Sequence, residues 1–259
     1  RLMARALRRL APRASACIAI SRSVADDVRR VCGAGLRVEV IHNAVDLARF
    51  SPHGPRAPLD ALAGMPAAQS AIIRVGLVAT MGLWKGHDVF LRALALLPAE
   101  PGVRGYVVGG RIYATAGSEV DPDALRRTAA ELGIAERVGF TGFVDDPAAA
   151  MRALDVVVHA STQPEPFGLV IAEAMACARP VVVSAAGGAG EIVRDGVDAV
   201  AVPPGDASAL AEAIRRLAAD AELRARLGAA GRARAERDFD RERLAREAAP
   251  LYRSLAGIR

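Results

Sequence analysis

From residue 71 onward, short apolar runs alternate with stretches whose apolar positions recur at helical spacing. The runs read as buried strands near 72–78, 104–108, 138–141, 155–159, 181–184 and 199–202. The stretches between them predict helices near 88–97, 123–132, 147–153, 168–177, 207–218 and 221–228, with a last one from about 240 to 255. Strands apolar on both faces belong to sheets covered on both sides, and strand–helix alternation joins parallel strands through right-handed crossovers. The pattern therefore predicts an α/β fold, a doubly wound, Rossmann-like parallel sheet.

Ahead of it, Leu2, Met3, Ala6, Leu7 and Leu10 interleave with Arg1, Arg5, Arg8 and Arg9 as in an amphipathic helix. That helix suits an anionic membrane surface in peripheral contact, or the protein's own sheet, which is the commoner arrangement. A strand at 16–20, a helix from Ser21 to about 31, with Ser21 or Ser23 as its N-cap, and a strand at 36–41 follow. Two such apolar strands cannot stand alone, so they resemble the tail of a second parallel sheet, and residues 1–50 are expected to pack poorly in isolation. Residues 53–69, rich in Pro, Ala and Gly, read as linker. The division is 1–52 for the incomplete N-terminal segment, 53–70 for the linker, 71–235 for the main domain and 236–259 for a C-terminal helix.

Composition narrows the function classes. With 52% apolar residues in 259, the chain can bury a sizeable core. The net charge of +5 comes from Arg scattered through Ala- and Glu-rich helices, and aromatics are only 4%, so no nucleic-acid partner is expected. Three cysteines without a CxxC pair suit a reducing compartment, and a cytoplasmic location follows, at the inner face of a membrane if the first helix docks there. No apolar run reaches the length of a membrane span.

The chemistry concentrates in two places. Glu165-Pro166-Phe167-Gly168 lies beyond the 155–159 strand, where open parallel sheets bind ligands, and Glu173 follows eight positions after Glu165. The helix starting there offers unpaired N–H groups and partial positive charge to a diphosphate. Glu173, roughly 7–8 Å further down the axis, can accept hydrogen bonds from the two hydroxyls of a ribose. An ordinary surface helix also carries isolated Glu, so spacing alone leaves both readings open. The second place is Gly82-Leu83-Trp84-Lys85-Gly86-His87, after the first strand of the sheet. All but one of the 34 basic residues are Arg, so Lys85 stands out as chosen for its compact ammonium, although drift in composition can leave one Lys too. Trp84 reads as a packing residue.

His159-Ala-Ser161-Thr-Gln-Pro-Glu165-Pro-Phe-Gly168, Ala172-Glu173-Ala174-Met175-Ala176 and Pro180-Val-Val-Val-Ser184 together resemble the family 4 (group 1) retaining glycosyltransferases. Asn43-Ala44-Val45-Asp46 resembles that family's Asn-Gly-Val-Asp linker, with Ala44 in place of Gly. The resemblance implies a GT-B fold, of which this chain is the C-terminal donor-binding half, and transfer of a hexose from a UDP- or GDP-sugar to a glycan or lipid-linked acceptor with retention of configuration. No cofactor and no metal are implied. It places Glu165 in the catalytic role of handling the donor sugar, and Lys85, Phe167, Gly168, Leu169 and Glu173 at the donor. Phe143 and Val144, at the end of the third strand, would meet the nucleobase, although a plain strand-to-helix turn explains the same residues. Gly187-Gly188-Ala189-Gly190-Glu191 reads either as a loop near the donor or as a tight turn. The family's diphosphate-binding Arg is replaced here by Thr80 or Ala79, and Arg111 is a candidate substitute.

Asp121-Pro122-Asp123 has the form of a metal-binding DxD but reads as a helix N-terminus. His42, His53, His87 and His159 lack carboxylate or Cys neighbours at ligand spacing, and no GxGxxG follows the first strand, which counts against a dehydrogenase. The rival to a transferase is a nucleotide-binding module without turnover.

Overall fold

The computed structural model describes residues 2–33, 35–98, 102–111 and 118–257. Arg1 lies outside them, as do the side chains of Leu2 and Met3. The N-terminal segment contains α1 (Leu2–Leu10), β1 (Cys17–Ala19), α2 (Arg22–Cys32) and β2 (Val38–Val40), and β1 pairs with β2 in parallel. Ser21 is the N-cap of α2, its hydroxyl accepting from the Val24 N–H at 3.1 Å.

After α3 (Leu59–Leu62) comes a regular alternation: β3 (Ile73–Val78), α4 (His87–Ala95), β4 (Val103–Val108), α5 (Pro122–Glu131), β5 (Val138–Gly142) and α6 (Pro147–Ala153). It continues with β6 (Val156–His159), α7 (Leu169–Ala176), β7 (Val181–Ser184), α8 (Gly188–Glu191) and β8 (Val200–Val202), then α9 (Ala207–Ala219), α10 (Ala221–Asp238) and α11 (Arg241–Ala256). The six strands β3–β8 form one parallel sheet in the order β5-β4-β3-β6-β7-β8. Strand order reverses between β3 and β6, so the loops leaving those strands diverge and open a crevice at their carboxyl ends. Lys85 follows β3 and Glu165 follows β6.

Two apolar layers cover the sheet. One holds Val75, Leu77, Phe90, Leu91, Ile214 and Leu217; the other holds Tyr106, Val157, Met175, Ile171 and Phe239. All of these are buried, which explains why the strands read as continuous apolar runs.

Three expectations need correction. Residues 53–70 are not a bare linker, because α3 carries Asp60 into a network with the sheet. The Asp60 carboxylate accepts from the Tyr106 hydroxyl, from Arg104 Nη1 at 2.6 Å, from Arg74 Nη2 at 3.2 Å and from the Ala68 N–H at 3.0 Å. Burial by itself raises its pKa, but these hydrogen bonds outweigh it and hold the carboxyl well below the usual range. Nor does α10 stop at Gly228. A Cβ there would stand 2.4 Å from the Ala178 carbonyl oxygen, so this glycine marks a close helix contact and not a helix end.

The N-terminal segment is also tied to the main domain more firmly than its apolar strands suggest. Glu191 accepts from the Arg22 and Ser23 N–H groups at 2.8 and 2.7 Å, a second cap on α2. The Val45 N–H donates to Phe239 O at 2.7 Å, and Arg243 Nη2 donates to His42 O at 2.6 Å. Leu7, Leu10 and Ile18 nevertheless stay exposed.

Candidate functional site

The crevice between the β3 and β6 loops is a cleft of about 690 Å³, within the range of roughly 300–1,000 Å³ typical of small-molecule sites. Lys85, Glu165, Gly168, Leu169 and Glu173 line it, and Phe143 and Val144 line the side nearer β5. The fold thus brings into one cavity Lys85, after β3, and Glu173, in α7, which lie 88 positions apart in the chain.

Glu165 is the hub. Its Oε1 accepts from Lys85 Nζ at 2.5 Å and from Ser161 Oγ at 2.6 Å, and His159 Nε2 stands 3.7 Å away, at ion-pair distance but beyond a normal hydrogen bond. Burial alone would raise the carboxyl, yet His159, Lys85 and Ser161 together hold its pKa at about 2. Glu165 is therefore a permanent anion near neutral pH, able to accept hydrogen bonds and unable to donate. With Oε1 engaged, Oε2 is left for a ligand hydroxyl. The main chain is fixed as well: the Gly188 N–H donates to Glu165 O at 2.7 Å, and the Glu165 N–H donates to Ala186 O at 3.3 Å. The Gly187–Glu191 stretch accordingly supports the Glu165 loop from below.

Lys85 owes its place to its neighbour. Gly86 has φ +75°, and a Cβ on it would lie 1.9 Å from the Ala160 carbonyl oxygen. Only glycine both turns the chain there and lets the β3 loop press onto the end of β6. The Thr162 N–H donates to Trp84 O at 2.8 Å, which joins the same two loops. Trp84 is partly exposed and does not line the cleft.

At the start of α7, Gly168 is the N-cap residue, and the Ile171 N–H folds back to its carbonyl oxygen at 2.9 Å. Among the described residues, the N–H groups of Leu169 and Val170 donate to no protein acceptor. They face the cleft with the positive end of the helix.

Glu173, one turn on, contrasts with Glu165. Burial pushes its pKa up to about 7, against a smaller downward pull from Arg49, and it has no hydrogen-bond partner among the described residues. One cleft thus contains a carboxylate that stays ionised and a carboxyl that burial keeps protonated well above the usual carboxylate range.

Two of the expected site residues lie elsewhere. The Phe167 side chain does not line the cleft; it is buried edge-on against Phe239, with ring centroids 5.8 Å apart, and beside His42. Arg111 does not line it either, since its Nε reaches Glu119 Oε2 at 3.5 Å. The cation that does line the cleft besides Lys85 is Arg49, from the segment before the linker. Sequence reasoning passed over Arg49 and Ser161, and set aside His159, which stands beside Glu165. The Ser161–Glu165 spacing of four residues was the available signal for Ser161; Arg49 had none. Asp121 accepts from the Asp123 N–H at 3.2 Å as N-cap of α5, so the DxD is a helix start.

This geometry can be set beside known proteins. The family model for glycosyl transferases group 1 matches residues 73–234, and the model for glycosyltransferase family 4 matches residues 1–49. The chain belongs to the group 1 glycosyltransferases. It is similar to the D-inositol 3-phosphate glycosyltransferase of Xylanimonas cellulosilytica, 38% identical over 230 residues, which cover 86% of this chain and 53% of that protein. A second such enzyme, from Mycolicibacterium gilvum, is 42% identical over 168 residues, covering 64% of this chain and 36% of that protein. The chain thus spans about half or less of the length of these curated relatives. Among solved structures, Anabaena HepE in complex with UDP superimposes with a TM-score of 0.85 at 32% identity, over 97% of this chain and 67% of that one. The sucrose-phosphate synthase of Thermosynechococcus elongatus gives 0.82 at 30% identity, over 98% of this chain and 61% of that one. The parallel six-stranded sheet is that of the GT-B fold shared by these neighbours.

Proposed function

We propose that the cleft binds a nucleoside diphosphate sugar, UDP- or GDP-linked, and that the whole protein transfers its hexose to a glycan or lipid-linked acceptor with retention of configuration. The observation that carries this reading is the convergence of Lys85, Glu165, the Leu169 and Val170 N–H groups and Glu173 at the switch point of the sheet. HepE, similar over nearly the whole chain, has been solved with UDP, with UDP and glucose, and with UDP-glucose, which favours UDP as the nucleotide.

In this reading the diphosphate lies between Lys85 and the start of α7. The bond between the sugar's anomeric carbon and the β-phosphate oxygen breaks, the acceptor oxygen bonds that carbon, and the acceptor's proton leaves with the diphosphate. Charge growing on the leaving oxygen meets a fixed ammonium and a helix dipole, which require no reorganisation at that moment. Glu165 accepts from sugar hydroxyls through Oε2, and Glu173 takes the ribose. Because protein groups carry the diphosphate charge, binding is expected to be independent of a metal ion.

Thr80 and Ala79 stand where the family usually has a diphosphate-binding Arg, and this favours a second reading: a module that holds the nucleotide without turnover. Titration calorimetry with UDP and GDP, with and without excess EDTA, tests the shared part. No heat with either nucleotide on folded protein overturns the donor site, and loss of affinity on chelation overturns metal independence. Release of free sugar or a glycoside from UDP-glucose by the whole protein separates transferase from module.

A further inference from the structure

We propose that Arg49 is a further nucleotide-binding residue of the cleft, its guanidinium donating to an acceptor oxygen of the nucleoside beside Glu173. This deepens the donor-cleft reading and rests on it. Arg49 lines the same cavity as Glu173, although it comes from the segment preceding α3.

Its placement is built. The Arg49 N–H donates to Asp46 Oδ1 at 3.1 Å, and its carbonyl accepts from Nη1 of Arg152, itself buried, at 3.2 Å. Phe50, next in the chain, is buried in the core beneath, and the Arg49 guanidinium carbon stands 5.6 Å from that ring. The backbone held at both ends fixes where the side chain starts, at the edge of the cleft.

Its donors are largely unspent. A guanidinium has five N–H donors, and among the described residues the one acceptor Arg49 meets is the Asp145 carbonyl, at 3.3 Å. It makes no ion pair there. An exposed guanidinium that lines the cleft with unspent N–H donors and no carboxylate partner can donate to acceptor oxygens of a ligand bound there. The Asp145 contact puts it next to Phe143 and Val144, at the nucleoside end and away from Lys85.

Arg49 also acts on Glu173. Of the groups around that carboxyl, Asp145 lines the cleft before α6, Cys177 follows at the C-cap of α7, and Lys85, His159 and Glu165 lie toward the phosphate end. Arg49 is the charge that draws Glu173 toward its ionised form against burial. An ionised Glu173 accepts from both ribose hydroxyls, whereas the protonated form gives up acceptor capacity.

The test is titration of UDP, UMP and 2′-deoxy-UDP into the wild-type chain, Arg49→Ala, Arg49→Met and Arg49→Lys between pH 6 and pH 8. Arg49→Met keeps the aliphatic stem, and circular dichroism confirms folding. Arg49→Ala and Arg49→Met are expected to weaken UDP and UMP by the same factor, roughly 10–100-fold. Arg49→Lys should recover only part of it. The pH midpoint at which affinity rises should move upward in both neutral variants. A loss that disappears with 2′-deoxy-UDP assigns the acceptor to ribose, and an equal loss assigns it to a base carbonyl. Unchanged UDP affinity overturns the proposal, as does a loss larger for UDP than for UMP. If the wild-type chain itself binds no UDP, the donor-cleft reading falls and takes the proposal with it; if it binds and the variants bind equally, only the role of Arg49 falls.

Discussion

Replacing Glu173 by Gln should make the empty protein more stable and its ribonucleotide complex weaker. The unfolded chain releases the Glu173 proton near 4.5, whereas burial in the cleft keeps it on until about 7. Between those values the folded state binds more protons than the unfolded state, so the contribution of this group to stability falls as pH rises. Below 4.5 both states are protonated and nothing is lost; above 7 the full penalty applies of a half-buried carboxylate with no hydrogen-bond partner among the described residues. At about 1.4 kcal/mol per pH unit, the displacement amounts to about 3 kcal/mol. Gln has nearly the same shape and does not titrate. Urea unfolding of wild-type and Glu173→Gln chains should therefore give equal stabilities at pH 4.5, with the variant gaining as pH rises and levelling off at about 3 kcal/mol above pH 8. In the same samples UDP affinity should drop, and 2′-deoxy-UDP should lose less, because the amide accepts from ribose with one oxygen where the carboxylate offers two. Identical pH dependence of unfolding in both proteins would refute the burial argument. Equal losses for the two nucleotides would give Glu173 a structural role and not a ribose-binding one.

Other perturbations probe the remaining parts of the site. Lys85→Ala should weaken UDP by about 1.5–3 kcal/mol and uridine hardly at all, with Lys85→Arg rescuing only in part; full rescue, read by calorimetry, would mean that any cation serves there. Gly86→Ala should cost about 2–4 kcal/mol of stability in urea unfolding, since it combines a left-handed backbone with a clash on Ala160, and a loss under 1 kcal/mol would show that the two loops are not pressed together. Glu191→Ala should speed hydrogen exchange at Arg22 and Ser23 and lower local stability by about 1–3 kcal/mol, whereas unchanged exchange would show that α2 is held by its own Ser21 cap.

The regular part of the fold was legible because the central strands β6 and β7 are buried on both faces and the other strands of the sheet largely so, which leaves mainly apolar runs between the helices. Boundaries came within one or two residues for most elements. Gly228 misled because a glycine inside a helix and one at its end look alike until the neighbour is seen, here the Ala178 carbonyl against α10. Residues 53–70 misled for the opposite reason: their composition is that of a linker, and what orders them is Asp60, whose three side-chain partners, Arg74, Arg104 and Tyr106, lie 14 to 46 positions away.

At the site, Glu165, Gly168 and Glu173 could be placed because one strand–loop–helix unit carries them, so local spacing suffices. Phe167, in the same unit, was placed by resemblance in the cleft, yet its ring turns to Phe239 in α10, a partner the local sequence does not contain. The charge states of the two carboxylates were not legible at all. Both are Glu on the same short stretch, and what separates a pKa of about 2 from one of about 7 is that His159, Lys85, 80 residues upstream, and Ser161 converge on one of them, while among the described residues no hydrogen-bond donor reaches the other. In the proposed donor reading their roles follow from that difference. A permanently charged Glu165 is a fixed acceptor that orients without changing state. In that reading Glu173, whose pKa burial raises to about 7, costs stability when it ionises in the empty cleft and would recover it when ribose hydroxyls donate to it, so the burial that weakens the empty fold would sharpen the preference for a ribose.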